Sequence, residues 1–219
     1  MNPGFFLLAL ASLLTACVNV GNHTESPAVV YYVLNDPASA PANAPAPLRA
    51  DAPKDPGPLR AKARVESYAP TLLVLDTTTG SFYDTDQLIF SRSPGTRGQY
   101  QFARWTERPG KRFADLMRAR LDRLGRYHVA AAGGYVRGDV LLDTELVEFY
   151  HDAASQPGQV RLVLRAELVD LKQRTLLGRR VFEQQVALTR YDAAGAAQAS
   201  SQAVGRALDE LTAWLAMLQ

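Results

Sequence analysis

The strongest constraint on the fold is an alternating segment at residues 160–169. Its residues Val160, Leu162, Leu164, Ala166 and Leu168 occupy every second position, which places them on one face of a β-strand. The flanking segments 141–150 and 176–188 are also strand-like, and only the short turns 156–158 and 171–174 separate the three. Consecutive strands with short connections pair antiparallel, so this part of the chain is predicted to be a three-stranded meander.

Further strands are predicted upstream of the meander. The β-branched and aromatic run 29–34 indicates a buried strand, and the apolar run 71–75 indicates a second one. Segments 87–90 and 100–105 flank a turn at 93–98 that contains proline and glycine, which is typical of a hairpin.

Two helices complete the predicted secondary structure. Pro109 is placed to start the first helix, where its missing N–H does no harm, and Gly125 is placed to end it. The second helix follows Gly195. Their apolar faces are predicted to comprise Phe113, Leu116, Met117, Leu121 and Leu124 in the first and Val204, Leu208, Leu211, Leu215 and Leu218, with Trp214 beside them, in the second.

This order of elements predicts an α+β fold. We expect a mostly antiparallel sheet with two main amphipathic helices packed on one face, forming a single domain over residues 28–219. A Pro/Ala-rich stretch at about 36–63 carries seven prolines and no aromatic residue, so it is predicted to be an exposed insertion, either a flexible loop or a polyproline-like spacer.

The N-terminus carries a targeting signal. An apolar run at 5–14 ends on Leu14-Thr15-Ala16-Cys17, which resembles the lipobox of bacterial lipoproteins, although residues 1–4 contain no Lys or Arg. This predicts a signal peptide at 1–16, lipidation of Cys17 and a tether at 17–27. The alternative is an ordinary secretory signal with a chance cysteine. Because Val18 and Asn19 follow the cysteine in place of Asp, we expect outer-membrane anchoring on the periplasmic face.

Composition argues against several classes of function. The 24 Lys and Arg against 22 Asp and Glu leave a net charge of +2, which does not favour nucleic-acid binding. Only His128 and His151 supply imidazoles to the domain, and no serine lies in a nucleophile motif, so we expect neither an enzyme nor a metal or cofactor site. Asp76, Asp84 and Asp86 lack the glycine and glutamate of a calcium loop and are read as turn residues.

Charge is unevenly distributed along the chain. Residues 92–126 hold ten basic side chains against three acids, whereas residues 139–152 hold five acids and no Lys or Arg. This asymmetry could orient a partner. The alternative is an ordinary solvated helix face, because the chain offers i, i+4 pairs at Lys111/Asp115, Arg118/Asp122 and Asp122/Arg126.

Several short motifs in a fixed order carry a family resemblance. The lipobox, a Tyr-Tyr-x-Leu strand at 31–34, the segment 81–92 and the segment 104–109 (Arg-Trp-Thr-Glu-Arg-Pro) are followed by a strand containing Phe149, the strand at 160–170 and a C-terminal helix containing Trp214. This order resembles the ABC-type transport auxiliary lipoproteins, which include relatives of paraquat-inducible protein C, over most of residues 28–218.

The resemblance implies a non-enzymatic auxiliary subunit of an MCE-type lipid transport system. Such a subunit would dock an MCE-domain protein at the outer membrane and, through it, an inner-membrane ABC transporter. Arg92, Arg104, Trp105 and Pro109 match the family motif and are the candidate partner-binding residues. Trp105 is also expected in the core, and Arg92 is expected either to pair with Asp84 or Asp86 or to face a partner. Homo-oligomerisation is a further expectation.

Two other functions share the same anchor and tether. A lipid-binding carrier would need an apolar cavity between the sheet and the helices. An outer-membrane assembly lipoprotein would instead act on newly made outer-membrane proteins.

Overall fold

The computed structural model describes residues 27–39 and 69–218. The predicted signal peptide, Cys17, nearly all of the predicted tether and residues 40–63 of the predicted insertion lie outside the described residues. The described part contains nine strands, two helices and a 3₁₀ turn at Pro37–Ser39. The helices are α1 (Pro109–Leu124) and α2 (Ala193–Met217), and the strands are β1 (Val30–Tyr32), β2 (Thr71–Val74), β3 (Thr78–Thr79), β4 (Gln87–Ser91), β5 (Gly98–Trp105), β6 (His128–Ala131), β7 (Val140–Asp152), β8 (Gln159–Asp170) and β9 (Thr175–Ala187).

Strand β7 is the centre of the sheet. Along one edge it pairs antiparallel with β8, which in turn pairs antiparallel with β9, so the predicted meander is confirmed. Along its other edge β7 takes β2, β3 and β4 in succession, all parallel to it. The predicted hairpin is confirmed as β4 and β5, and β1 adds to β5 in parallel. The result is an open mixed sheet in which the long antiparallel pairings predominate.

Both helices pack on the same face of this sheet and share one hydrophobic core with it. Helix α1 starts at Pro109 and ends before Gly125, whose φ of 64° is the left-handed cap that glycine adopts without strain. Helix α2 is capped by Asp192, whose carboxylate accepts a hydrogen bond from the backbone N–H of Gly195 at 2.7 Å. The α+β fold class is therefore confirmed. Within the described residues, neither helix is long and apolar enough to cross a bilayer.

The prediction for residues 29–34 was wrong about burial. This segment supplies β1, a three-residue strand at the sheet edge, and Val30 and Tyr31 are exposed while only Leu34 is fully buried. Apolar composition alone cannot distinguish an edge strand from a central one, because the same residue types favour both.

The start of the predicted insertion is also more ordered than expected. The side chain of Asp36 is fully buried and binds Arg120 of α1, with its Oδ2 2.8 Å from the arginine Nε. Arg112 and Arg123, also on α1, donate to the backbone carbonyls of Leu34 and Ala38. Residues 34–38 are thus held against α1 by three arginines.

Candidate docking surfaces and the Arg92 cavity

Three of the four candidate partner-binding residues lie at the junction of hairpin and helix. Trp105 is 3% exposed and stacks on Phe149 with ring centroids 6.0 Å apart, which confirms its expected place in the core. Arg104 donates to Asp86 at 2.9 Å, and Pro109 is buried at the start of α1. These three side chains fix how the hairpin leads into α1, and Trp105 and Pro109 offer little surface to a partner.

Arg92 is exposed and lies apart from the other three, at the turn between β4 and β5. Its expected partners Asp84 and Asp86 are taken instead by Arg108, at 3.1 Å, and by Arg104. The guanidinium of Arg92 lies 4.9 Å from the centroid of the Phe90 ring, a cation–π contact. Among the described residues it has no carboxylate partner.

Arg92 borders a cavity of about 340 Å³, which we call the Arg92 cavity. Of the seven residues that line it, only Arg92 is charged, and three are aromatic. Strands β4 and β5 supply one wall, and the turns after β7 and β9 supply the other. The lining residues are Phe90, Arg92, Gln99, Tyr100, Gln101, Ala153 and Tyr191.

The lining residue Tyr100 forms a polar pair with the buried His151. The Tyr100 hydroxyl lies 2.8 Å from His151 Nδ1, and His151 Nε2 lies 3.3 Å from the carbonyl of Pro157. A neutral imidazole protonated at Nε2 satisfies both contacts. Burial lowers the pKa of His151 and raises the pKa of Tyr100 to about 12, so both groups are uncharged near neutral pH. Arg92 therefore sets the charge of the cavity.

The predicted charge asymmetry is largely neutralised by pairing across elements. In the part of the chain that is described, seven of the ten basic residues at 92–126 form ion pairs, as do three of the five acids at 139–152. None of the three predicted i, i+4 pairs forms there. Asp115 instead pairs with Arg118 one turn away, and Arg118 also reaches Asp76.

Some of these ion pairs lie on the outer face of the meander, opposite the helices. Glu148 binds Arg161 of β8 and also contacts Arg97 in the turn before β5, while Glu145 binds Arg165. These residues alternate with the core positions, as the period of a strand requires. The face is charged and balanced, which is typical of solvated surface.

The two ends of the sheet differ in character. At the hairpin end, β4 turns into β5 and β7 turns into β8, and the Arg92 cavity lies there. At the distal end, β7 begins and β8 turns into β9. The distal end exposes five apolar side chains that no other described element covers, namely Tyr135, Val136, Leu176, Leu177 and Met217. Tyr135 is fully exposed.

The residues weighed for chemistry have structural roles. His151 is part of the buried pair with Tyr100, and His128 is exposed on the edge strand β6. Asp76, Asp84 and Asp86 each pair with a different arginine instead of converging on one point. Among the residues described, no group of three or more His, Cys, Asp or Glu is placed to hold a metal ion.

Comparison with known proteins assigns the family. A family model described as the ABC-type transport auxiliary lipoprotein component matches residues 55–212. The chain belongs to this family. The match begins inside the Pro/Ala-rich stretch and ends within α2, so it covers the whole sheet except β1.

Solved structures share the fold. Protein XCC0632 from Xanthomonas campestris, of family DUF330, is 22% identical with a TM-score of 0.62, over 68% of this chain and 85% of that one. A second crystal structure, of an uncharacterized protein, is 13% identical with a TM-score of 0.59, over 67% of this chain and 92% of that one. No curated protein matches the chain.

Sequence reasoning found Arg92 in this auxiliary lipoprotein but missed the cavity beside it. Tyr100 and Tyr191 are 91 positions apart in the sequence, and Tyr191 reaches the hairpin end because β9 runs back to it antiparallel to β8. No local pattern in the sequence signals such a meeting. The distal apolar residues were also missed, because single exposed apolar residues look like core residues until the fold is known.

Proposed function

We propose that this auxiliary lipoprotein is a non-enzymatic subunit held in the outer membrane through acylated Cys17, which docks an MCE-domain protein of a lipid transport system. The family match carries the proposal, because it ties the chain to ABC-type transport and to lipid anchoring. The proposed location follows from the residues after Cys17, and the proposed partner follows from the motif order described above.

The direction of β1 supports a docking surface at the distal end. Strand β1 pairs with β5 in parallel, from Val30 beside Ala103 to Tyr32 beside Trp105, so it runs away from the β4–β5 turn. The chain therefore enters the domain from the hairpin end, which is the side of the proposed anchor. The 13 residues of β7 separate the two ends by about 40 Å at roughly 3.3 Å per residue. A partner arriving from the periplasm would meet the distal end first.

The exposed apolar side chains make the distal end suitable for a protein contact. Tyr135 and Val136 project from the loop before β7, while Leu176 and Leu177 lie at the start of β9. Tyrosine is enriched among the residues that dominate protein interfaces, and groups of exposed apolar side chains mark interaction sites. Arg92 lies at the hairpin end, away from this distal surface, while Arg104, Trp105 and Pro109 would act by positioning the hairpin.

The interior of the fold disfavours the carrier alternative. A cavity between the sheet and α2, bordered by Leu88, Trp105, Phe149 and Ala196, measures only about 10 Å³. This is about the space of one water molecule and is far too small for an acyl chain. The assembly-lipoprotein alternative would use the same exposed surfaces, so the identity of the captured partner must decide it. Homo-oligomers are compatible with the proposal, because the edges of β1 and β9 are free in the described structure.

A crosslinking experiment tests the proposal. Cells carrying the affinity-tagged protein are treated with a periplasmic crosslinker, and the products are compared with those from a Cys17→Ser variant that cannot be acylated. We expect the intact protein to capture an MCE-domain protein, and the variant to lose most of that product. Capture of outer-membrane β-barrel assembly proteins in its place would contradict the proposal.

A further inference from the structure

We propose that the Arg92 cavity binds the phosphate group of a phospholipid headgroup at the membrane surface. This inference relies on the proposed anchoring through Cys17 only to bring the membrane lipid close to the cavity. The binding chemistry itself follows from the cavity.

The first argument is the availability of the Arg92 guanidinium. The acids nearest to the cavity in the chain are already engaged. Asp152 accepts a hydrogen bond from the backbone N–H of Ala154 at 3.2 Å, and Asp192 caps α2 and pairs with Arg190. Arg92 is thus a cation without a carboxylate partner among the described residues, and a guanidinium matches the geometry of a phosphate group.

The second argument is the neutrality of the remaining lining. Because the pKa of Tyr100 is raised and that of His151 is lowered, neither adds a negative or a positive charge near neutral pH. The Tyr191 hydroxyl donates to the carbonyl of Ala153 at 3.2 Å. Gln99 and Gln101, which also line the cavity, are exposed and carry amide groups. An anion in the cavity therefore meets one cation, two glutamines and no competing carboxylate among the lining residues.

The third argument is size and shape. A volume of about 340 Å³ lies at the lower end of the range for small-ligand sites, roughly 300–1,000 Å³. This accommodates a headgroup and part of the glycerol, whereas the acyl chains would remain in the bilayer. The aromatic rings of Phe90, Tyr100 and Tyr191 would contact the apolar part of the glycerol. The same rings favour a position at a membrane interface.

The fourth argument is the distance to the anchor. The cavity lies at the hairpin end, from which the chain enters β1, and its residues Gln99, Tyr100 and Gln101 directly precede the part of β5 that pairs with β1. Pro27 lies ten positions after Cys17, and a fully extended chain over ten positions spans at most about 36 Å. The cavity is therefore held within reach of the lipid headgroups.

Binding of short-chain lipids in solution tests the inference. The mature chain carrying Cys17→Ser is titrated with dihexanoyl phosphatidylglycerol below its micelle concentration, and binding is measured by calorimetry. Dihexanoylglycerol, which lacks the phosphate, and inorganic phosphate serve as comparison ligands. The variants are Arg92→Gln, Gln101→Glu and, as a matched control, Arg126→Gln, because Arg126 is also an exposed arginine without a described ion pair.

We expect the phospholipid to bind at least tenfold more tightly than either comparison ligand. Arg92→Gln and Gln101→Glu should weaken it tenfold or more, whereas Arg126→Gln should leave it unchanged. Equal binding of dihexanoylglycerol, equal binding of inorganic phosphate, an equal loss in the control variant or no binding at all would each overturn the inference. Because no anchor or partner is involved, these outcomes are independent of the docking test.

The two experiments together distinguish the headgroup site from a role of Arg92 as a protein contact. If Arg92→Gln abolished the crosslink to an MCE-domain protein and left phospholipid binding intact, Arg92 would be a docking residue and the headgroup site would be refuted.

Discussion

The buried charge cluster around Asp36 provides a strong test of the folding argument. Asp36 has a fully buried carboxylate that accepts hydrogen bonds from Arg120 and from the backbone N–H of Ala38. Arg120 also binds Asp209 of α2, and the hydrogen bond to Asp36 raises the pKa of the guanidinium further, so it stays charged. The cluster joins the segment after β1 to both helices.

We predict that Asp36→Asn lowers the free energy of unfolding by about 3 kcal/mol. Removing one partner of a buried ion pair costs roughly 3–5 kcal/mol, and the remaining contact of Arg120 with Asp209 places the loss at the lower end. For a domain of this size, about 3 kcal/mol corresponds to a fall in Tm of roughly 6–12 °C. Urea and thermal unfolding followed by circular dichroism measure both quantities.

Asp209→Asn is the matched control, because it removes the other carboxylate of Arg120 at a side chain that is 65% exposed. Solvent screening limits this loss to less than about 1 kcal/mol. If the two variants differed by less than about 1 kcal/mol, the cluster would not behave as a buried pair and the reasoning would be refuted.

Two further predictions concern acid stability and close packing. Because the pKa of His151 is lowered by burial, the folded protein binds fewer protons than the unfolded chain, so the free energy of unfolding should fall between pH 7.5 and 5.5, by at most about 1.4 kcal/mol. His151→Gln should remove this loss of stability, whereas His128→Gln should retain it. An unchanged loss in His151→Gln would show that His151 does not cause it. At Gly110 an added Cβ would lie 2.8 Å from the carbonyl oxygen of Thr77. Gly110→Ala should therefore lower the free energy of unfolding in urea by about 1–3 kcal/mol, whereas Gly134→Ala should leave it nearly unchanged. Similar losses in both variants would argue against tight packing at α1.

The sequence predicted those elements whose signals are local. The bounds of α1 follow from Pro109 and Gly125, because proline is tolerated in the first helical turn and glycine adopts the left-handed cap. The meander follows from strict alternation in β8 and from two short turns. These features depend on neighbouring residues, so they can be derived without a fold.

Features that depend on distant pairing could not be predicted. The parallel docking of β2, β3 and β4 along one edge of β7 pairs residues 61 to 68 positions apart, and no local pattern encodes it. The same holds for the ion pairs: the acids that neutralise the arginines of α1 come from several other elements, with Asp36 separated from Arg120 by 84 positions. Counting charges along the chain therefore overestimated how far positive and negative charges are separated on the surface.

The candidate site likewise has one part that the sequence predicted and another that only the fold reveals. Arg92 was found through its motif, but its availability depends on Arg104 and Arg108 having taken Asp86 and Asp84. The cavity beside it depends on Tyr191, which lies at the hairpin end because β9 returns the chain there antiparallel to β8. Sequence motifs located the charged residue, and the fold was needed to identify its surroundings.

Site-specific photo-crosslinking in cells tests the central claim most directly. A photoreactive amino acid is placed at Tyr135 or Leu177 on the distal end, and at Gln185 on the charged outer face as the control, with Cys17 intact. The account predicts a crosslink to an MCE-domain protein from positions 135 and 177 and none from position 185. Crosslinking from position 185 alone, or no MCE-domain product from any position, would contradict the claim that the distal end docks a transport partner.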